Sequence, residues 1–221
     1  MKLNTRHAFP RSIFICCSLM LTLLIAACST SGSGGGANVA PTPTPTPTPA
    51  PALTTYTGEG YTVGYPKGWT SKQDTSPKQF ADLAKQFPGV QVPTTTFTDS
   101  LGVNTVTIGV APDPNGVVPP ETALNTVIQA SKSSVKNYKE ATIAAQATVG
   151  GQSWNQAAAT GDVTQQGVTA NAKTVALVTT YPAKSPTTKL YFIVYAGPSL
   201  TFDSIDSTDF QPILKSFKFT S

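Results

Sequence analysis

The sequence predicts an α+β domain: an α/β/α sandwich on a mainly antiparallel β-sheet. Strand-like runs joined by hairpin signals fill the second half of the chain, and helical stripes stand before and after them. The run Leu190 to Tyr195 is apolar on both faces, with Leu190, Phe192 and Val194 on one and Tyr191, Ile193 and Tyr195 on the other. A strand of that kind has to be central and covered from both sides.

The chain opens with a basic stretch, Lys2, Arg6 and Arg11, and an apolar run from Ile13 to Ala27 broken only by Ser18 and Thr22. That run is too short, and too soon followed by polar sequence, for a stable membrane span. It ends in Ile25-Ala26-Ala27-Cys28, small residues before a cysteine. This resembles the bacterial lipobox and implies residues 1–27 as a lipoprotein signal peptide, with Cys28 as the lipidated residue. The plainer alternative is an ordinary signal cut after Ala27. Cys16 and Cys17 lie in the apolar run and leave with it. Residues 28–52 read as a linker, Ser/Gly-rich to Gly36 and then alternating Pro with Thr or Ala from Pro41 to Pro51. Such a run favours polyproline II, about 3.1 Å per residue and so about 34 Å of stand-off. Thr42, Thr44, Thr46 and Thr48 are candidate O-glycan acceptors.

Residues 53–221 read as one globular domain. Tyr61 to Tyr65 alternates and ends at the turn Pro66-Lys67-Gly68. Ser76-Pro77 opens a short helix with Phe80, Leu83, Ala84 and Phe87 on its stripe, stopped by Pro88-Gly89. Val103 to Val110 is a strand with Val106, Ile108 and Val110 on one face, followed by the turn Asp113-Pro114-Asn115-Gly116. Pro120-Glu121 begins a second helix with Leu124, Val127, Ile128, Ser131 and Val135 inward. Ile143, Ala145, Ala147 and Val149 alternate up to Gly150-Gly151, a hairpin signal that puts Trp154 on the returning strand. Val168 to Tyr181 is a long strand. Ser207-Thr208-Asp209 is expected to cap a last helix carrying Phe210, Ile213, Leu214 and Phe217.

Composition excludes several chemistries. The only histidine, His7, and both arginines fall within residues 1–27, and the rest of the chain holds 12 lysines against 11 acids, a net charge of +1 (12 − 11). The sequence pI near 8.9 is therefore largely a property of the signal. A near-neutral domain without arginine forks is a poor fit to nucleic acid. Without histidine there is no imidazole base and no Ser-His-Asp triad. Without a free thiol there is no cysteine nucleophile, and zinc lacks its usual ligands. No nucleotide-binding glycine loop is present, so no cofactor is expected.

Two further stretches bear on family. Tyr61-Thr62-Val63-Gly64-Tyr65-Pro66-Lys67-Gly68-Trp69 resembles the opening Tyr-x-x-x-Tyr-Pro-x-x-Trp of PsbP-like proteins. Phe210-Gln211-Pro212-Ile213-Leu214-Lys215-Ser216-Phe217 resembles their closing Phe-x-x-Ile-Leu-x-Ser-Phe. The resemblance covers roughly Tyr56 to Phe219 and implies the PsbP/Mog-like sandwich, a fold shared with Mog-type Ran-binding proteins and bacterial envelope lipoproteins. Its members are mostly non-enzymatic accessory or binding proteins. The metal-linked histidines of the photosynthetic members have no counterpart in this chain.

Individual residues carry sharper alternatives. Trp69 and Trp154 are either stacking platforms for a ligand or core. Asp203, Asp206 and Asp209 recur every third residue but lack the calcium-loop order, which favours capping. Asp113, Asn115 and Gly116 read as a turn before a metal loop. Tyr181, Tyr191 and Tyr195 either line a cleft or pack. The expected function is a membrane-anchored, extracytoplasmic lipoprotein with a non-catalytic binding or accessory domain. Its partners are membrane lipid through acylated Cys28 and an envelope protein or small ligand. The alternatives are a cell-envelope hydrolase using carboxylate or Ser-Lys chemistry, and a purely structural envelope protein.

Overall fold

The computed structural model describes residues 51–75, 78–87, 91–165 and 167–220. The chain divides into a unit Met1–Thr46 and a unit Pro47–Ser221. The signal, Cys28, the linker threonines, and the Ser76-Pro77 and Pro88-Gly89 boundaries of the first helix lie outside the described residues.

Two antiparallel sheets form. The small one has the order β1-β2-β11, with β1 Leu53–Gly58, β2 Tyr61–Pro66 and β11 Lys218–Phe219. The large one uses β3 Thr70–Asp74, β4 Thr94–Thr98, β5 Thr105–Pro112, β6 Lys136–Ala141, β7 Gln146–Val149, β8 Gln152–Gln165, β9 Val168–Tyr181 and β10 Lys189–Pro198. Its order is β3-β4-β5-β10-β9-β8-β6, with β7 also paired to β8. The two-faced strand β10 sits between β5 and β9, as its composition requires. Gly109 on β5 makes room for it, because a Cβ there would stand 2.0 Å from the Phe192 ring. The Gly150-Gly151 turn has φ of 58° and 76°, the left-handed pair of a two-residue hairpin, and joins Val149 to Gln152.

The helices complete the layers. A 3₁₀ turn at Lys78–Phe80 leads into α1 Ala81–Ala84, and α2 is Pro120–Ser134. They cover one face of the large sheet, where Phe80, Leu83, Ala123 and Val127 pack with Leu190, Phe192, Ala176 and Val178. On the other face Tyr191, Ile193, Tyr195, Val106, Ile108 and Trp154 pack with Tyr61, Val63, Phe202, Phe210, Ile213 and Phe217. The fold is thus α+β. The second covering layer is a three-stranded sheet together with helix, rather than helix alone.

Several strands have no counterpart in the sequence reading. β3 is exposed at every position and has no apolar face to announce it. β4 carries a single phenylalanine in a threonine run. Val103 lies before β5, and Ile143 and Ala145 before β7, all three exposed. The last helix also differs. It begins at α3 Phe202–Ile205, passes through a π-helical turn at Asp206–Phe210 and continues as α4 Gln211–Ser216. Ser207 and Thr208 are inside it, their hydroxyls donating to the Ser204 carbonyl at 2.8 and 3.1 Å, and cap nothing. The reason is packing. Phe202 and Phe210 both reach Tyr195, with ring centroids at 6.0 and 4.9 Å. Eight residues fit two turns of about 3.6 poorly, and the extra residue of a π turn realigns them.

Candidate functional site

The β1–β2 hairpin hangs over the ends of β3, β4 and β5 and leaves a cleft of about 140 Å³ between the two sheets. Ile108 and Val110 of β5 supply apolar wall, and Thr94 and Thr95 of β4 bring buried hydroxyls. Tyr56 and Tyr61 form the other wall, their rings 6.2 Å apart. Tyr56 stands edge-on to Phe97 at 5.3 Å, while Tyr61 stacks on Phe217 at 5.5 Å, so both rings are fixed from behind. The Tyr56 hydroxyl lies 3.1 Å from Thr95 Oγ1 and accepts from Gln73 Nε2. Burial pushes the Tyr61 hydroxyl up to about 12, with the Thr95 hydrogen bond pulling the other way. It stays a neutral donor across the physiological range. Gly58 is required by close approach, since a Cβ there would stand 2.4 Å from the Tyr61 ring.

Glu59, Asp74 and Thr75 line the rim of the cleft and are exposed. The Glu59 carboxylate is 3.0 Å from Lys189 Nζ, an exposed pair of small energetic worth. A second, open groove of about 470 Å³ runs between the Gly150-Gly151 turn, Tyr181 and the C-terminal strand. Tyr181 stacks on Phe219 at 4.2 Å beside Lys215 and Lys218. The one carboxyl that burial holds above its usual range, Asp209, lines neither cavity. Hydroxyls, an amide and fixed aromatic edges suit the inter-sheet cleft to holding and orienting a small, largely apolar ligand.

The residues singled out from sequence fall in different places. Cys28 lies outside the described residues. Trp154 is fully buried and donates Nε1–H to the Val149 carbonyl at 3.0 Å, so it is core and not a platform. Trp69 is partly buried, edge-on to Phe210 at 6.4 Å. Asp203 pairs with Lys173 at 3.3 Å, and Asp206 accepts from Gln211 at 3.2 Å. Asp113 and Gly116 close the expected turn with an N–H···O bond of 2.8 Å, and the buried Asp113 carboxylate accepts from the Val117 and Val118 amides. Tyr191 and Tyr195 are core, whereas Tyr181 lines the open groove. Among the described residues no group of three His, Cys, Asp or Glu comes together to hold a metal. Nor is any described helix long and apolar enough to cross a membrane. Sequence reasoning missed Tyr56, Gly58, Gln73 and Thr95. The signal for the first two was present: Gly58-Glu59-Gly60 between two alternating runs is a hairpin turn.

The two stretches that carry the family resemblance meet in space. Trp69 packs on Phe210, Tyr61 stacks on Phe217, and the Ser216 hydroxyl accepts from the Gly64 amide at 2.7 Å. No family model matches the chain, and no curated protein does. Among solved structures, the chain is similar to a crystal structure of LpqN, described as involved in cell envelope biogenesis of Mycobacterium tuberculosis. The TM-score is 0.44 at 11% identity, over 77% of this chain and 91% of that one. A likeness that loose carries no functional weight, and the PsbP-like resemblance rests on its two sequence motifs.

Proposed function

We propose that the chain is an extracytoplasmic lipoprotein, held in the cell membrane through acylated Cys28, whose PsbP-like domain binds a small ligand without turning it over. The observation that carries the binding reading is the inter-sheet cleft. Its wall of two pinned tyrosines faces two buried threonines, and glycine at 58 keeps the tyrosine wall in place. A proton-transfer enzyme needs a group whose pKa is set near its working pH. The residue inventory leaves only carboxylates, lysines, hydroxyls and tyrosines for that task. The anchor reading is supported by Ile25-Ala26-Ala27-Cys28 behind a basic and then apolar stretch. Glu59 and Asp74 on the rim make a carboxylate hydrolase the competing reading.

One preparation tests all three statements. The protein is purified from native membranes, its intact mass is measured, and small molecules that co-purify are identified by native mass spectrometry. Acyl mass on Cys28, absent in Cys28→Ala, is expected. So is a ligand retained by the wild type and lost in Gly58→Ala. Hydrolysis of envelope glycans or esters that vanishes in Glu59→Gln or Asp74→Asn would replace the binding module with the enzyme.

A further inference from the structure

The large sheet has two ends, and its exposed aliphatic residues favour one of them. Seven large aliphatic residues are exposed among the described ones: Leu53, Leu101, Val103, Val117, Ile143, Val168 and Leu200. Single exposed residues of this kind are ordinary. Their distribution is not. Leu101 and Val103 occupy the loop between β4 and β5, where Thr98 pairs with Thr105. Leu200 follows β10, whose last residues Ala196 and Pro198 pair with Thr105 and Ala172. Val168 is at the tip of the β8–β9 hairpin, paired with Gln165. All of these loops lie at the end where β3, β5 and β9 begin. The linker joins the domain at the same end: Leu53 pairs with Pro66, and the Lys67 amide donates to the Ala52 carbonyl at 3.0 Å. Five of the seven therefore cluster at the tether end, with Val117 at the opposite end beyond β5 and Ile143 in the connection between β6 and β7.

Their exposure is not a product of slack loops. Leu101 is 80% exposed although Gly102 takes a left-handed φ of 74° and the Asp99 carboxylate accepts from the Val103 and Asn104 nitrogens at 2.9 and 2.7 Å. Leu200 is fully exposed although Ser199 bonds Asn171 through both its amide (2.9 Å) and its hydroxyl (2.6 Å). These tips are held outward by their own hydrogen bonds.

We infer that the tether end of the domain is a lipid-docking surface, with Leu101, Leu200 and Val168 entering the headgroup–acyl boundary of the membrane. The inference rests on the anchor at Cys28 proposed above. Ala52 lies 24 residues after Cys28 (52 − 28), a length that reaches on the order of tens of ångström. Ser/Gly-rich sequence ahead of the Pro run allows a semi-rigid spacer to tilt, so a lipid surface is within reach of this end. Aliphatic tips on separate loops suit a fluid apolar layer that needs no shape complementarity. Burying each leucine side chain removes apolar surface from water and adds affinity in proportion to its area.

The test uses the full anchored protein in native membranes and in vesicles of phosphatidylethanolamine and phosphatidylglycerol in equal parts. Leu101→Cys, Leu200→Cys and Val117→Cys are each labelled with an environment-sensitive fluorophore, the acylated Cys28 being unreactive. Labels at 101 and 200 are expected to shift to the blue and to be quenched by shallow lipid nitroxides, while the label at 117 reports water. In the unanchored Cys28→Ser chain, Leu101→Ser with Leu200→Ser is expected to lower vesicle partitioning at least ~10-fold. If acyl mass is present and labels at 101 and 200 are as wet as 117, the docking surface is overturned while the anchor stands. If acyl mass is missing, the anchor fails, and vesicle partitioning of the Cys28→Ser chain decides docking alone. A blue shift without lipid that grows with protein concentration assigns the tips to a second copy of the chain and also overturns it.

Discussion

At the end of the large sheet where β3 and β5 finish, the chain turns aromatic rings, hydroxyls and an amide into a cleft: Tyr56, Tyr61, Gln73, Thr94 and Thr95. At the opposite end, where those strands begin and the linker enters, aliphatic side chains stand out on loop tips. The first end encloses apolar surface and keeps polar atoms paired with one another. The second leaves apolar surface outside and spends its hydrogen bonds on holding loops rigid. The contrast separates two tasks within one sheet. A cleft depends on tight packing behind it, so changes there act through the core. A loop tip has no packing behind it, so changes there leave the fold untouched.

The heaviest blow to the cleft end is expected from Trp154→Ala. The ring is fully buried, lies edge-on to Phe217 at 5.6 Å, and its loss also removes the hydrogen bond it donates to the Val149 carbonyl. Denaturant unfolding should register a destabilisation of about 3–5 kcal/mol. Alkaline pH comes next. Burial raises Tyr61 and Tyr191 to about 12. An acid whose folded pKa is raised keeps its proton in the native state while the unfolded chain loses it. Stability is therefore full below pH ~10 and falls between pH ~10 and ~12, by up to about 1.4 kcal/mol per pH unit per tyrosine. Urea titrations across that range, with tyrosinate followed by ultraviolet absorbance, measure it. Flat stability to pH 12 would mean that these hydroxyls are open to water.

Gly58→Ala drives a methyl into the Tyr61 ring and is expected to cost about 1–3 kcal/mol and to abolish binding in the cleft. Tyr56→Phe removes only a hydroxyl, at about 1 kcal/mol, and gives the finer probe: ligand affinity should fall more than stability does. The smallest effect belongs to the tether end. Leu200→Ser should shift unfolding by no more than about 0.5 kcal/mol while changing membrane partitioning. A larger loss of stability there would show that Leu200 packs against the domain, and the contrast between the ends would collapse.

How much of this was legible in the sequence varied with burial. The two-faced run of β10 declared a covered central strand, and Phe192 and Ile193 are both buried on opposite faces. The Gly150-Gly151 turn was plain from its glycine pair. The strand of Val106, Ile108 and Val110 and the α2 stripe of Leu124, Val127 and Ile128 were equally plain, because each has a period that burial enforces, whereas Val135, expected on that stripe, lies past the helix end in extended conformation. β3 and β4 were not, because edge strands of threonine and charge satisfy no apolar period. The start of the last helix was misread because local capping chemistry at Ser207-Thr208-Asp209 lost to the demand that Phe202 and Phe210 both face Tyr195.

By itself, the sequence determined the α+β class, the central strand and the residue inventory that excludes histidine and thiol chemistry from residues 53–221. These are properties of composition and of periods spanning a few residues. Only the tertiary structure decided that the β1–β2 hairpin packs as a second sheet over the ends of β3, β4 and β5. Only there do Tyr56, Gln73 and Thr95 meet across 17 and 39 residues of chain. Likewise, only the register of β5, β9 and β10 brings Leu101, Val168 and Leu200 to the end where the linker enters. Pairings over such separations are selected by the packing of whole layers, and no local pattern in the chain records them.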